Sequence, residues 1–291
     1  MSRAEVFVAE TLRMAAPYVA CGLGAVITER AGLVNVAFEG TLIVSALAGA
    51  CLGLVSGSAV VGLAGAIAAG AAFCFLHGAL VGRGRVDAIV SGIALNIIAY
   101  GLSRFVLRVA YDSASNSPKV PPLGAELASP LLRVALHPAF LLVVLAAFGV
   151  AWTLSRTRFG LRLRATGENP EAARAAGIPT ATIRLAAASL SGAVAGLGGA
   201  HLVFDQRHFD VGMSGGRGFI ALAAVILGRW RPGATVLACL GFSALEAAQI
   251  AVQDVARVPS EVVQMIPYVV TLGLLAGIGR AARPPAGLGR D

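Results

Sequence analysis

Charge is what this chain has least of. Only 13% of its 291 residues are Asp, Glu, Lys or Arg, and a single lysine, Lys119, stands among them. Soluble domains carry about 25% charged residues, so this composition excludes an ordinary water-soluble globule. Cysteine is scarce too: Cys21, Cys51, Cys74 and Cys239 all fall in apolar stretches without metal-ligand spacing. They read as small hydrophobes, which excludes a disulfide framework or a zinc site. The four histidines, His77, His137, His201 and His208, are dispersed. No Ser-His-Asp arrangement and no Walker sequence is present, so neither catalysis nor ATP binding is expected of this chain, and no metal or cofactor. No cleavable signal peptide is evident at the N-terminus, which carries the acids Glu5 and Glu10.

What is abundant is apolar. Hydrophobic residues make up 57% of the chain, with 36 glycines, and mean hydropathy is +0.80. The apolar runs are about 20 residues long and lack period-two alternation, so they read as membrane-spanning helices rather than barrel strands. Ala and Gly dominate them, which suits closely packed helix backbones. The expected fold is all-α and polytopic, with about 8–9 transmembrane helices, some short or interrupted. Net charge is +8, but the arginines cluster in short turns. Positive-inside orientation accounts for them without a nucleic acid polymer as partner. Turns 82–85, 156–184 and 229–231 and the C-terminal tail fall in the cytoplasm; loops 108–137, 205–217 and 253–261 fall outside, as does the N-terminus.

The order of spans suggests two inverted-repeat halves in a single transmembrane domain over 1–291. The first half covers about 8–110 and the second about 185–279, with the outer loop 108–137 and an Arg-rich loop 156–184 between them. Each half has a span followed by a polar, Gly-bearing break: Glu29–Gly40 in the first, Asp205–Gly218 in the second. Such interruptions at matching places point to a binding site or pathway at the repeat interface.

The intramembrane polar residues are the candidates for that pathway, because each is costly in lipid. Asn35 and Glu39 stand four apart in the first break, on one face if the segment is helical. A substrate path or gate and a helix-anchoring role are both open for them. Asn96 lies in mid-span, placed for an interhelical hydrogen bond or substrate contact. Glu246 is read as the one acid deep in a long span, with Gln249 on the same face, and a buried structural role is favoured for it. Ser214 and Arg217 are placed to shape an outer mouth.

The Arg-rich loop holds six arginines against Glu168 and Glu171. Inside it, Asn169 is a good N-cap, Pro170 suits the first helical position, Glu171 complements the helix N-terminus, and Gly177 ends the turn. This predicts a short helix over 170–176.

Four stretches in order carry a family resemblance. They are Glu29-Arg-Ala-Gly-Leu-Val-Asn35 with Glu39-Gly40; Asp87-Ala-Ile-Val-Ser-Gly-Ile-Ala-Leu-Asn96; Gly167-Glu-Asn-Pro170 with Ala172, Ala173 and Ala176-Gly-Ile178; and Gly216-Arg-Gly-Phe219 through Gly228 and Pro232-Gly233. With these the chain resembles permease subunits of ATP-binding-cassette importers of the branched-chain amino acid and ribose permease superfamily, nearest the nucleoside and simple-sugar branch. The resemblance implies a type II importer-like permease in the cytoplasmic (inner) membrane of a bacterium. It implies cytosolic ATPase subunits, a second permease subunit (a heterodimer favoured, a homodimer the alternative) and an extracytoplasmic substrate-binding lipoprotein. Nucleoside is the first expected solute, simple sugar the second and branched-chain amino acid the third. Glu168, Asn169, Pro170, Glu171, Ala173, Arg174 and Gly177 are then the expected ATPase-coupling residues. The rival reading is an ion-coupled secondary transporter, for which Glu246 would be the proton carrier.

Overall fold

A computed structural model describes residues 3–124, 127–253 and 283–289, with scattered positions between 265 and 277. The described residues form eleven helices: α1 Arg3–Arg30, α2 Phe38–Ser56, α3 Ala59–Gly82, α4 Ala88–Tyr111, α5 Pro130–Ala135, α6 Pro138–Arg156, α7 Arg158–Glu168, α8 Pro170–Ala175, α9 Thr180–Gln206, α10 Arg217–Leu227 and α11 Pro232–Gln253. Seven of these are long and apolar enough to cross a membrane, and α10 is a shorter apolar helix. Most of the expected span at 262–278 and of the loop at 253–261 lies outside the described residues.

The core is a seam of small residues. Helix α9 runs through the centre against α1, α2 and α3. A Cβ on Gly192 would stand 2.1 Å from the Gly70 carbonyl oxygen, and one on Gly70 would stand 2.3 Å from that of Gly192. The α3 and α9 backbones therefore touch directly, as helices do where lipid supplies no hydrophobic drive and close packing must hold them. In contrast, α4 leaves Ile93, Ile97, Ile98, Phe105 and Val109 exposed.

The two ends of the bundle differ in chemistry. At one end α1 finishes in a Schellman turn, with Leu33 N–H on the Thr28 carbonyl, Gly32 N–H on that of Glu29, and Gly32 at φ +82°. Gly167, Arg184, Trp230 and Gly287 gather round that turn. This end collects the Arg-bearing stretches 156–184 and 229–231. At the other end residues 115–120 lie along 207–211. Ser117 N–H bonds the Phe209 carbonyl at 2.9 Å and Val120 N–H bonds that of Arg207 at 2.8 Å. The outer loop thereby pins the entry to the second break. His137, just before α6, meets His201 edge to face at 5.4 Å; burial pulls its pKa down against the pull of Asp205.

Two differences from the sequence reading stand out. Residues 158–168 form a helix rather than open loop: Thr157 caps α7 through Gly160 N–H, and Gly160, Leu163, Thr166 and Gly167 are buried beneath it. Helix also reaches into the Arg-rich loop 156–184 from its far side. Helix α9 begins at Thr180, and Asp87 caps α4 by accepting from the N–H groups of Ile89 and Val90.

Candidate functional site

Two helices begin inside the bundle, and each therefore presents unpaired N–H groups where water is scarce. The first is α2, entered through the non-helical segment 33–37. Because that segment is not helical, Asn35 and Glu39 do not share a helix face, contrary to the sequence expectation. Asn35 is fully buried; its Oδ1 accepts from Ala37 N–H at 2.9 Å and its amide nitrogen donates to Cys74 Sγ. Asn96, reaching across from α4, donates to the Val36 carbonyl at 2.9 Å and accepts from Gly40 N–H at 2.8 Å. His77 from α3 meets the Val34 carbonyl at 2.9 Å and Ser91 Oγ at 3.1 Å. Val34, Asn35, Val36 and Gly40 thus each find a partner on α3 or α4, as burial demands. Gly92 makes room for it, since a Cβ there would lie 2.3 Å from Val36.

The second is α10, and what caps it is Glu39. The Glu39 side chain is only 1% exposed. Its Oε1 accepts from Ser214 Oγ at 2.6 Å, Gly216 N–H at 2.8 Å and the Tyr100 hydroxyl at 3.2 Å. Its Oε2 accepts from Gly218 N–H at 2.9 Å. All four partners are donors, and a carboxylate's two oxygens have acceptor sites for all of them. Glu39 also sits in the first turn of α2, so the positive ends of two helices converge on one anion. Gly218 permits this approach: a Cβ there would stand 2.4 Å from the Glu39 nitrogen. Ser214 is fully buried here instead of shaping an outer mouth. Tyr100, absent from the sequence candidates, bridges Glu39 and Ser214.

Glu246 faces the same region from α11, but it is answered by a cation. Arg217 Nη2 donates to Glu246 Oε1 at 2.6 Å, with the side chains 16% and 20% exposed. The Tyr18 hydroxyl adds a bond at 2.9 Å. Glu39, not Glu246, is the more deeply buried acid. Arg217 belongs to this interior pair, not to an outer mouth. Gln249 is half-buried on the next turn of α11. A cleft of about 460 Å³ lies at the end of the bundle where residues 115–120 run along 207–211, lined by Tyr100, Arg104, Ser115, Asp210 and Gly212.

At the opposite end the short helix forms as its local signals require. Asn169 Oδ1 accepts from Ala172 N–H at 3.0 Å. Gly177, at φ +77°, closes a Schellman turn through Ile178 N–H on the Ala173 carbonyl. Glu171, Ala172, Arg174, Ala175 and Gly177 are exposed, whereas Ala173 and Pro170 are buried within the chain. Ala173 therefore packs inward and corrects the expectation that it meets a partner. Glu168 Oε1 lies 3.7 Å from Arg30 Nη1, tying the base of the helix to the end of α1.

Among the described residues no group of His, Cys, Asp and Glu is arranged to hold a metal ion. No solved structure matches the chain significantly. Known sequences do. The chain is 35% identical to the nucleoside ABC transporter permease protein NupC of Lactococcus lactis subsp. cremoris (strain MG1363), over 97% of this chain and 95% of that protein. It is 33% identical to the guanosine ABC transporter permease protein NupQ of Bacillus subtilis (strain 168), over 97% and 94%. A putative glucose ABC transporter permease protein, TsgC13 of Haloferax volcanii, is 34% identical over 87% and 80%. The model of one family, described as the branched-chain amino acid transport system / permease component, matches residues 7–275. With nearly the whole chain covered, the protein belongs to that family and is a non-catalytic membrane permease subunit of an ATP-binding-cassette transporter.

Proposed function

We propose that this permease imports a nucleoside, with ATP hydrolysed on cytosolic partner subunits docked at α8 and the solute delivered from outside by a binding protein. The observation that carries the choice of solute is the filling of the paired helix N-termini by Glu39. Inward-facing helix N-termini commonly serve to hold an anionic group. Here the protein's own carboxylate occupies the position, which argues for a neutral solute over an amino acid with its carboxylate. Full-length similarity to nucleoside and guanosine permeases favours nucleosides among neutral solutes; the likeness to a putative glucose permease makes simple sugar the second reading. The cleft beside Tyr100 and Asp210 offers an aromatic ring and hydrogen-bonding groups on the route to Glu39.

The exposed edge of α8, with Glu171 and Arg174, is the ATPase contact in this reading, since a helix anchored at both caps and tied to α1 transmits a push. The permease pairs with a second permease, a different paralogue in preference to its own copy, in the cytoplasmic membrane of a bacterium. The test is uptake of radiolabelled guanosine and uridine in cells expressing the full transporter, with glucose and leucine as competitors. Uptake blocked by other nucleosides, unaffected by leucine and lost with Glu171→Arg while the permease stays inserted is expected. Competition by leucine but not nucleosides overturns the solute assignment, and undiminished ATPase co-purification with Glu171→Arg overturns the docking assignment.

A further inference from the structure

An apolar groove between α1, α6 and α11 runs into a basic pocket at the α7–α8 end. The groove, of about 380 Å³, is walled by residues such as Val19, Phe140, Phe148, Val236 and Leu240. The pocket, of about 310 Å³, is lined by Arg30, Arg164, Arg231, Trp230 and Ser155. Ala151, Pro232 and Gly233 line both, so the two form one continuous channel.

The three guanidiniums are not equally engaged. Arg30 lies 3.7 Å from Glu168 and donates to the Trp230 carbonyl at 2.9 Å. Neither Arg164 nor Arg231 makes an ion pair among the described residues, and Arg164 Nε is buried without a hydrogen-bond partner. A buried donor of that kind calls for an acceptor. Among the described residues no carboxylate lines the pocket, and its charge there is positive, which suits a negatively charged group.

We propose that this channel binds an anionic phospholipid, with the phosphate held among Arg30, Arg164 and Arg231 and an acyl chain laid in the groove. Arginine's planar fork suits phosphate oxygens. The apolar wall distinguishes a lipid from free phosphate, which would use the arginines alone. Occupancy would brace α6 against α11, close to the α7–α8 arm.

The full-length permease, reconstituted in nanodiscs of mixed phosphatidylglycerol and phosphatidylcholine, is examined by native mass spectrometry for retained lipid. Phosphatidylglycerol is expected to be retained over phosphatidylcholine. Arg164→Gln and Arg231→Gln each reduce that preference about fivefold, as expected for one basic group at a membrane surface. Arg83→Gln, in the exposed α3–α4 turn and not among the pocket's lining residues, changes it less than about twofold, because a surface charge acts only within about a Debye length. Val236→Trp, which fills the groove and leaves the arginines intact, lowers lipid retention. Equal retention of the two lipids overturns the proposal, as does a loss with Arg83→Gln as large as with Arg164→Gln. Displacement by millimolar inorganic phosphate, with Val236→Trp behaving like the parent, assigns the pocket to a free phosphate and equally overturns it.

Discussion

The two breaks solve the same problem with different chemistry. Both deliver a helix N-terminus into the bundle, and in both a glycine N–H near the start of the helix meets a side chain from elsewhere. Gly40 meets Asn96, a neutral amide that also donates to Val36. Gly218 meets Glu39, a carboxylate that only accepts. The first break is anchored to the long helices α3 and α4 by groups that give and take hydrogen bonds locally. The second is anchored to the first helix turn beyond the other break, and by charge. The dependence meets at Glu39: without it the second break loses its cap, and without the second break a buried carboxylate loses most of its donors. Charge-assisted bonds are roughly twice as strong as neutral ones, so the dependence falls on the Glu39 clamp.

Removing the clamp should have the largest effect. Glu39→Leu strands the N–H groups of Gly216 and Gly218, and we expect a loss of about 5 kcal/mol, the sum of several unmet buried donors; thermal unfolding in detergent measures it. Glu39→Gln should fall between that variant and the parent. Next comes the ion pair beside it. Arg217→Leu leaves the part-buried Glu246 without its cation and should cost about 3 kcal/mol, the low end for a desolvated pair. The double variant Arg217→Met/Glu246→Leu should recover most of that loss, because a well-packed apolar pair commonly replaces a buried ion pair. A double variant no better than the single would show that the pair positions α10 by more than charge neutralisation. Asn96→Leu should cost about 2 kcal/mol, the loss of two neutral bonds with their groups left buried. Were it to cost as much as Glu39→Leu, the distinction between a neutral and a charged anchor would collapse. Smallest is Ser214→Ala, at about 1 kcal/mol for one donor among four. Its cost should vanish in a Glu39→Leu background, a coupling that a double-mutant cycle reads directly.

What could be read from the sequence followed the range of the interactions. Helix α8 was legible because its signals are local: the Asn169 cap, Pro170 and Gly177 all act within a few residues, and each does so in the structure. The breaks were legible as places, since polar residues interrupt apolar runs. Their partners were not. Glu39 and Gly218 are 179 residues apart, and Tyr18 and Glu246 are 228 apart. No periodicity connects such pairs. Helix α7 escaped notice for another reason. Its buried face consists of Gly160, Leu163, Thr166 and Gly167, with a helical spacing but almost no hydrophobicity, so the surrounding arginines dominate any reading of the pattern. The family resemblance carried what local physics could not, and the full-length matches bear out its functional reading.

The direct backbone contact of Gly70 with Gly192 has a mechanical consequence. Side chains can change rotamer to absorb a shift between helices, but two backbones in contact have nothing to rearrange. The helices α3 and α9 must therefore travel as one body through any transport cycle. Hinges belong at the ends of the bundle and at the two breaks, where short polar segments can take up rotation. In engineering terms, the seam is a fixed frame of reference. Distance probes placed on α3 and α9 should report no change during turnover, while a probe pair joining either helix to α8 should record the stroke.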